Sequence, residues 1–122
     1  MTPEQTVRDF CAAASRCRAA DVLDFFTDDA VYHNIPLDPL RGRDAIQATL
    51  AQFLDIASTV EFEILALAVT GNTVLTERVD RFVIGGKAIA LPVMGAFDVT
   101  ADGKIAAWRD YFDMQQFTTQ MG

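Results

Sequence analysis

The sequence is poor in the groups that most often carry chemistry. It holds one histidine, His33, and two cysteines, Cys11 and Cys17. A single imidazole cannot build a histidine cluster, and neither cysteine has a metal-type spacing, so no zinc site is expected. If both cysteines lie on one N-terminal helix, they stand about 9 Å apart along its axis at roughly 1.5 Å per residue, beyond disulfide reach. Basic residues are also few: 10 Lys and Arg stand against 17 Asp and Glu, a formal net charge of -7. With those cations scattered, nucleic acid is a poor partner, and a neutral or cationic small molecule fits better. No apolar run nears the roughly 20 residues that cross a bilayer. The opening Met1-Thr2-Pro3-Glu4-Gln5 lacks the basic start and apolar core of a signal peptide, so a cytoplasmic protein is expected.

What remains is a chain of 122 residues that is 51% hydrophobic and 22% charged, the balance of a globular protein. No linker, repeat or low-complexity tract divides it, and one domain over 1–122 is expected. Thr2 as cap, Pro3 at the first helical position and Gln5 completing a capping box predict a helix through Val7, Phe10, Cys11, Ala14 and Cys17. Asp21 reads as the cap of a second, short helix through Val22, Leu23, Phe25 and Phe26, ended by Asp28-Asp29. A short strand over 30–35 follows, then a loop broken by Pro36, Pro39 and Gly42. A third helix is predicted over 44–58 from Ile46, Leu50, Phe53, Leu54 and Ala57.

Everything after that reads as strand: 60–69, 73–84, 87–99 and 104–113, joined by Gly71-Asn72, Gly85-Gly86 and Asp102-Gly103, all hairpin signals. Pro92 and Gly95 predict a bulge or bend in the third of these. After Asp113 a tail or helical turn is expected. The fold class is α+β: a curved antiparallel or mixed sheet with about three helices on one face, forming a cone with an internal apolar pocket.

The strand over 73–84 is the informative one. Alternate residues point to opposite faces, so Val74, Thr76, Arg78, Asp80, Phe82 and Ile84 share a face. Burying a cation and a carboxylate there does little for stability, which makes function the better reason to keep them. In the last strand Asp110 lies between Trp108 and Phe112, and in the strand over 30–35 Tyr32 and Asn34 share a face while His33 points away. Facing residues of the first and last of these strands would lie roughly 10 Å apart, at about 4.8 Å per strand, a gap an arginine can close. The expected pocket walls are Val74, Phe82, Trp108 and Phe112. Blander readings exist for each group: Arg78 and Asp80 as a surface charge ladder, Tyr32 and Asn34 as rim residues at a strand end, Asp110 with Arg109 as an exposed ion pair, His33 as a structural or surface residue. The balance shifts because the five polar groups fall on faces otherwise built of Val, Ile, Phe and Trp.

In order, Tyr32-His33-Asn34-Ile35-Pro36, Glu77-Arg78-Val79-Asp80 and Trp108-Arg109-Asp110-Tyr111-Phe112-Asp113 resemble the limonene-1,2-epoxide hydrolase family of the nuclear-transport-factor-2-like, SnoaL-like cone fold. The resemblance covers most of the chain. It implies Asp80 and Asp110 as an acid and base pair, Arg78 bridging them, and Tyr32 and Asn34 holding the water. It implies addition of water to a small apolar epoxide, giving a vicinal diol in one step without a covalent intermediate, a metal or a cofactor. The chemistry of the residues agrees with this. Opening an epoxide needs an activated water and a proton for the leaving oxygen, and one ionised and one protonated carboxyl supply both. Two Asp around one Arg with one shared proton carry no net charge, which suits an apolar pocket. No Gly-x-Ser-x-Gly elbow or histidine base is present for a covalent route.

Two rivals stand beside this reading: a lyase, isomerase or cyclase of the same cone, and a noncatalytic ligand-binding or dimerisation module. A homodimer is expected, because Leu75, Val79 and Val83, with Glu77 and Arg81, form a sheet face that so few helices leave uncovered.

Overall fold

The computed structural model describes residues 2–122. Helix α1, Pro3–Ala14, is capped as predicted by the Thr2 hydroxyl, which accepts from the Gln5 backbone N–H at 3.1 Å. The reciprocal half of the capping box does not form, because the Gln5 side chain donates to Asp9 instead at 2.7 Å. The helix also stops short of Cys17, whose backbone has a left-handed φ of 58°. Both cysteines are free thiols.

The expected second helix is two 3-10 turns, Ala19–Asp21 and Leu23–Phe25, with Asp21 inside the first and not a cap. The chain then turns extended earlier than predicted: β1 is Phe26–Asn34, with Asp28 and Asp29 inside it. A two-residue strand, β2 (Leu40–Arg41), follows, and then α2, Arg43–Ala51, starting after Gly42 at a φ of 88°. The predicted helix over 44–58 ends at 51 because the chain tightens there into three-residue bonds, Gln52 N–H to Thr49 and Phe53 N–H to Leu50. Leu54 and Ala57 are buried in these turns all the same, which is why the apolar spacing looked continuous.

Four long strands complete the sheet: β3 Thr59–Thr70, β4 Thr73–Ile84, β5 Lys87–Val99 and β6 Ile105–Tyr111. Spatially the order is β2-β1-β6-β5-β4-β3, so the meander runs antiparallel while β1 lies parallel to β6. The result is a mixed, open, curved sheet. Its irregularities lie between Ile64 and Ala66, between Asp98 and Val99, and between Phe26 and Val31. None falls at Pro92, against expectation: Val79 pairs with Pro92 in unbroken register. β6 ends at Tyr111, opposite Met94, so beside Pro92 strand β5 has no second neighbour that needs its missing N–H.

Alternation along β4 buries Val74, Thr76, Arg78, Asp80 and Phe82 and turns Leu75, Glu77 and Arg81 outward. α1 packs across the inner face, where the Phe10 ring meets Trp108 edge-on at 4.9 Å and Phe26 at 5.5 Å. The segment after β6 forms an eight-residue helix, α3 (Met114–Met121), capped by the Asp113 carboxylate on the Gln115 N–H. Gln120 anchors it by accepting from the Ala90 N–H and donating to the Ala90 carbonyl, at 2.8 and 2.9 Å, where β5 extends past β6. No helix among the described residues is long and apolar enough to cross a membrane.

Candidate active site

Register across the sheet explains how distant residues meet. One row reads Thr76, Gly95, Asp110 and Asn34 across β4, β5, β6 and β1, and the row below it reads Val74, Phe97, Trp108 and Tyr32. β5 therefore lies between the strand carrying Arg78 and the strand carrying Asp110, and any side chain at Gly95 would stand in the way. A Cβ there would sit 2.2 Å from Arg78 Nη1 and 2.6 Å from Asp110 Oδ1. Gly95, expected to mark a bend, instead opens the gap through which Arg78 reaches β6. Its contribution is an absent atom.

Arg78 is wholly buried and uses all five of its N–H groups. Nε and Nη2 donate to Asp80 Oδ1 and Oδ2 at 3.0 and 2.9 Å. Nη1 and Nη2 donate to Asp110 Oδ1 and Oδ2 at 3.2 and 2.8 Å. The remaining Nη1 proton goes to the Thr76 hydroxyl at 3.1 Å. The guanidinium is also flanked by the rings of Phe62 and Phe97, 5.4 and 5.8 Å from its carbon.

The two carboxyls are treated unequally. Asp110 accepts a third donor, Trp108 Nε1–H, at 2.7 Å, whereas among the described residues Asp80 accepts from the arginine alone. Burial pushes the Asp80 carboxyl up to about 6, outweighing the opposing pull of Arg78. Burial pulls the Arg78 guanidinium down, but Asp110 and Asp80 together outweigh it, raise the group well above its usual value and keep it charged. Burial likewise raises the Tyr32 phenol, so it stays protonated, and raises the Cys11 thiol to about 12.

The structure brings Arg78, Asp80 and Asp110 into direct contact, with Tyr32 and Asn34 on the adjoining strand. The Tyr32 ring stacks on Trp108 at 4.0 Å between centroids, and Asn34 lies two residues along the same strand, lining the same cavity. Asp80, Asp110, Tyr32 and Asn34 all line a cavity of about 90 Å³, whose other walls are apolar. A cavity that holds one water needs roughly 10–15 Å³ of volume open to a water-sized sphere, so several waters or one small organic molecule fit. Phe82, Trp108 and Phe112 are among those walls. Val74 is not: it is fully buried in the core, paired directly with Phe97 in the row that also holds Trp108. Arg78 does not reach the cavity surface either and lies behind the two carboxyls. His33 points away and bonds the Leu37 carbonyl at 2.9 Å. The sequence reading missed Thr76, Gly95 and the Trp108 N–H as parts of the site. Thr76 carried a signal, a hydroxyl on an otherwise apolar face, whereas the other two depend on register. Among the described residues no group of three or more His, Cys, Asp or Glu is arranged to hold a metal ion.

Fold and site define an α+β cone with a buried Asp-Arg-Asp cluster at the base of an apolar pocket. The same cone occurs in a structure described as a SnoaL-like polyketide cyclase from Shewanella denitrificans, with a TM-score of 0.86 over 98% of this chain and 96% of that one. At 16% identity that is a likeness of fold alone. A solved LEH-like epoxide hydrolase from Mycobacterium tuberculosis is 31% identical, with a TM-score of 0.82 over 95% of this chain and 86% of that one. The curated epoxide hydrolase EphG of Mycobacterium tuberculosis is 39% identical over 87 residues, 71% of this chain, and the match spans 57% of that relative's length. All of residues 1–122 match the family model for the limonene-1,2-epoxide hydrolase catalytic domain. The chain belongs to the limonene-1,2-epoxide hydrolase family.

Proposed function

We propose that this protein hydrolyses a small apolar epoxide to a vicinal diol in one step. The observation that carries the reading is the pair Asp80 and Asp110, bridged by a fully engaged Arg78 and opening on a pocket with no other charged group on its walls. Asp110, held by three N–H donors, is the base that takes a proton from water. Asp80, raised to about 6, is the carboxyl that gives a proton to the epoxide oxygen. Tyr32 and Asn34 orient the water, so that a lone pair faces the epoxide carbon as its proton faces Asp110. As the new carbon–oxygen bond forms, the epoxide carbon–oxygen bond breaks and the leaving oxygen takes the Asp80 proton. One proton passing from Asp110 to Asp80 resets the site. Arg78 keeps the two carboxyls adjacent throughout and compensates the charge of whichever is ionised.

Turnover of cyclic and linear epoxides in heavy-oxygen water tests this: label appearing in the diol, with none trapped on the protein in a single turnover, is expected. Label first entering a carboxyl of the protein would overturn the one-step route. The reading extends to a homodimer formed through the outer sheet face, where Leu75, Met94 and Tyr111 are exposed beside Glu77 and Arg81. That mix of apolar and oppositely charged groups suits a two-fold contact, and sedimentation showing only monomer at micromolar concentration would count against it.

A further inference from the structure

Four of the five Arg78 N–H groups go to the two carboxylates, and the fifth goes to a residue the reaction scheme does not use. Thr76 is fully buried, and its hydroxyl accepts from Arg78 Nη1 at 3.1 Å while donating to the Gly95 carbonyl at 3.2 Å. The hydroxyl is therefore fixed from both sides: its proton faces β5 and a lone pair faces the guanidinium. Nη1 is also the nitrogen that reaches Asp110 Oδ1, the oxygen that Trp108 holds. Because a guanidinium is planar and rigid, fixing one Nη1 proton on Thr76 fixes the direction of the other.

We propose that Thr76 is a positioning residue that sets the rotation of the Arg78 guanidinium and so keeps Asp110 the better-bonded carboxylate of the pair. The proposal rests on the epoxide-hydrolase reading for its consequence in turnover, but not for its geometry. Without the hydroxyl, a buried N–H loses its acceptor and the Gly95 carbonyl loses its donor at the same moment. Unsatisfied groups of this kind are costly, and turning Nη1 toward the freed Gly95 carbonyl relieves both. That rotation takes Nη1 away from Asp110 Oδ1, and the unequal treatment of the two carboxyls is weakened. Packing alone would not notice the difference, since valine fills nearly the same volume as threonine.

The test compares Thr76→Val, which deletes the hydroxyl, with Thr76→Ser, which keeps it. Two readouts serve: the carbon-13 titration of the Asp80 carboxyl without substrate, and the pH profile of kcat/KM on a small apolar epoxide. Thr76→Val is expected to lower kcat by about 10- to 100-fold with KM changed by less than about threefold, and to move the Asp80 titration by about half a unit or more. Thr76→Ser is expected to keep the wild-type titration and most of the turnover. A Thr76→Val protein with the wild-type titration and kcat would overturn the proposal, and so would Thr76→Ser matching Thr76→Val in both. If Thr76→Val does not fold, Thr76→Ala replaces it, with Thr76→Ser as its hydroxyl-bearing partner of similar size. If the wild-type protein opens no epoxide, the functional reading fails on its own, while the carboxyl titration still decides the role of Thr76.

Discussion

Two arginine–aspartate clusters lie back to back in this sheet, built from the same three residue types. On the inner face Arg78 holds Asp80 and Asp110 with Thr76 beside it; on the outer face Arg109 holds Asp98 through both of its Nη atoms, at 2.8 and 3.3 Å, with the Thr73 hydroxyl on the same carboxylate at 2.8 Å. Arg109 and Asp110 are consecutive, so one peptide bond separates the clusters. The side chains of the outer pair are 30% and 42% exposed, and the Asp98 carboxyl is held below its ordinary value, chiefly by hydrogen bonding to Arg109. The Arg78 side chain is 0% exposed, and there burial overrides the arginine and moves the Asp80 carboxyl the other way. The same partners give opposite proton affinities, and the solvent decides which. An exposed pair is ordinarily worth about 0–1 kcal/mol, whereas breaking a buried one leaves an uncompensated charge.

Breaking the inner cluster should have the largest effect. On the proposed reading Asp80→Asn and Asp110→Asn each remove a proton-transfer group while preserving shape, so epoxide turnover should fall by about 1000-fold or more in each, with folded protein recovered. Arg78→Lys should be nearly as damaging, since a point ammonium cannot engage two carboxylates as a five-donor fork does. Initial rates on one epoxide, read beside circular dichroism, check all three. An Asp110→Asn protein with most of its activity would move the base elsewhere.

The neighbouring strand offers a smaller version of the same contrast. Tyr32 and Asn34 line the pocket, while His33 between them points out and bonds a loop carbonyl. Tyr32→Phe and Asn34→Ala should each lower kcat by about 10- to 1000-fold with KM little changed, because on the proposed reading they orient water and do not take its proton. His33→Ala should leave kcat within about threefold of wild type. If it proved the most damaging of the three, the water site would have to be rebuilt around the imidazole.

How much of this was legible in the sequence follows from the rigidity of each rule. A strand's two-residue alternation is nearly inviolable, so the inward set Arg78 and Asp80, the inward Tyr32 and Asn34, and the outward His33 were readable from one strand at a time. The hairpin glycines gave the meander for the same reason. Pairing between strands has no such signature. The parallel match of β1 with β6, which sets Asn34 beside Asp110, follows no turn motif, and without it the place of Gly95 opposite both Thr76 and Asp110 is invisible. Depth is equally silent: Val74 and Phe82 share a face, yet only Phe82 reaches the cavity. Helix ends were misjudged where apolar spacing continued through tight turns, as at Phe53 and Leu54.

The sharpest reading of the comparison lies in how stability depends on pH. Asp80 has a folded-state value of about 6 against an ordinary 3.8, so between those values the folded protein binds more protons than the unfolded chain. Its contribution is therefore fully present below about pH 4 and is lost as pH rises through about 6, a change on the order of 1–3 kcal/mol at roughly 1.4 kcal/mol per unit. Asp98 has the opposite sign. Its value is lowered on folding, so its contribution is present above its ordinary value and lost as pH falls through the lowered one, and its exposure keeps that to about 0–1 kcal/mol. Urea unfolding from pH 3 to 8 separates the two. Asp80→Asn should remove the decline between about pH 4 and 6, and Asp98→Asn should only shallow the loss at the acid end. If Asp98→Asn instead removed the decline between about pH 4 and 6, the raised carboxyl would lie on the outer face, and the contrast between the two clusters would be reversed.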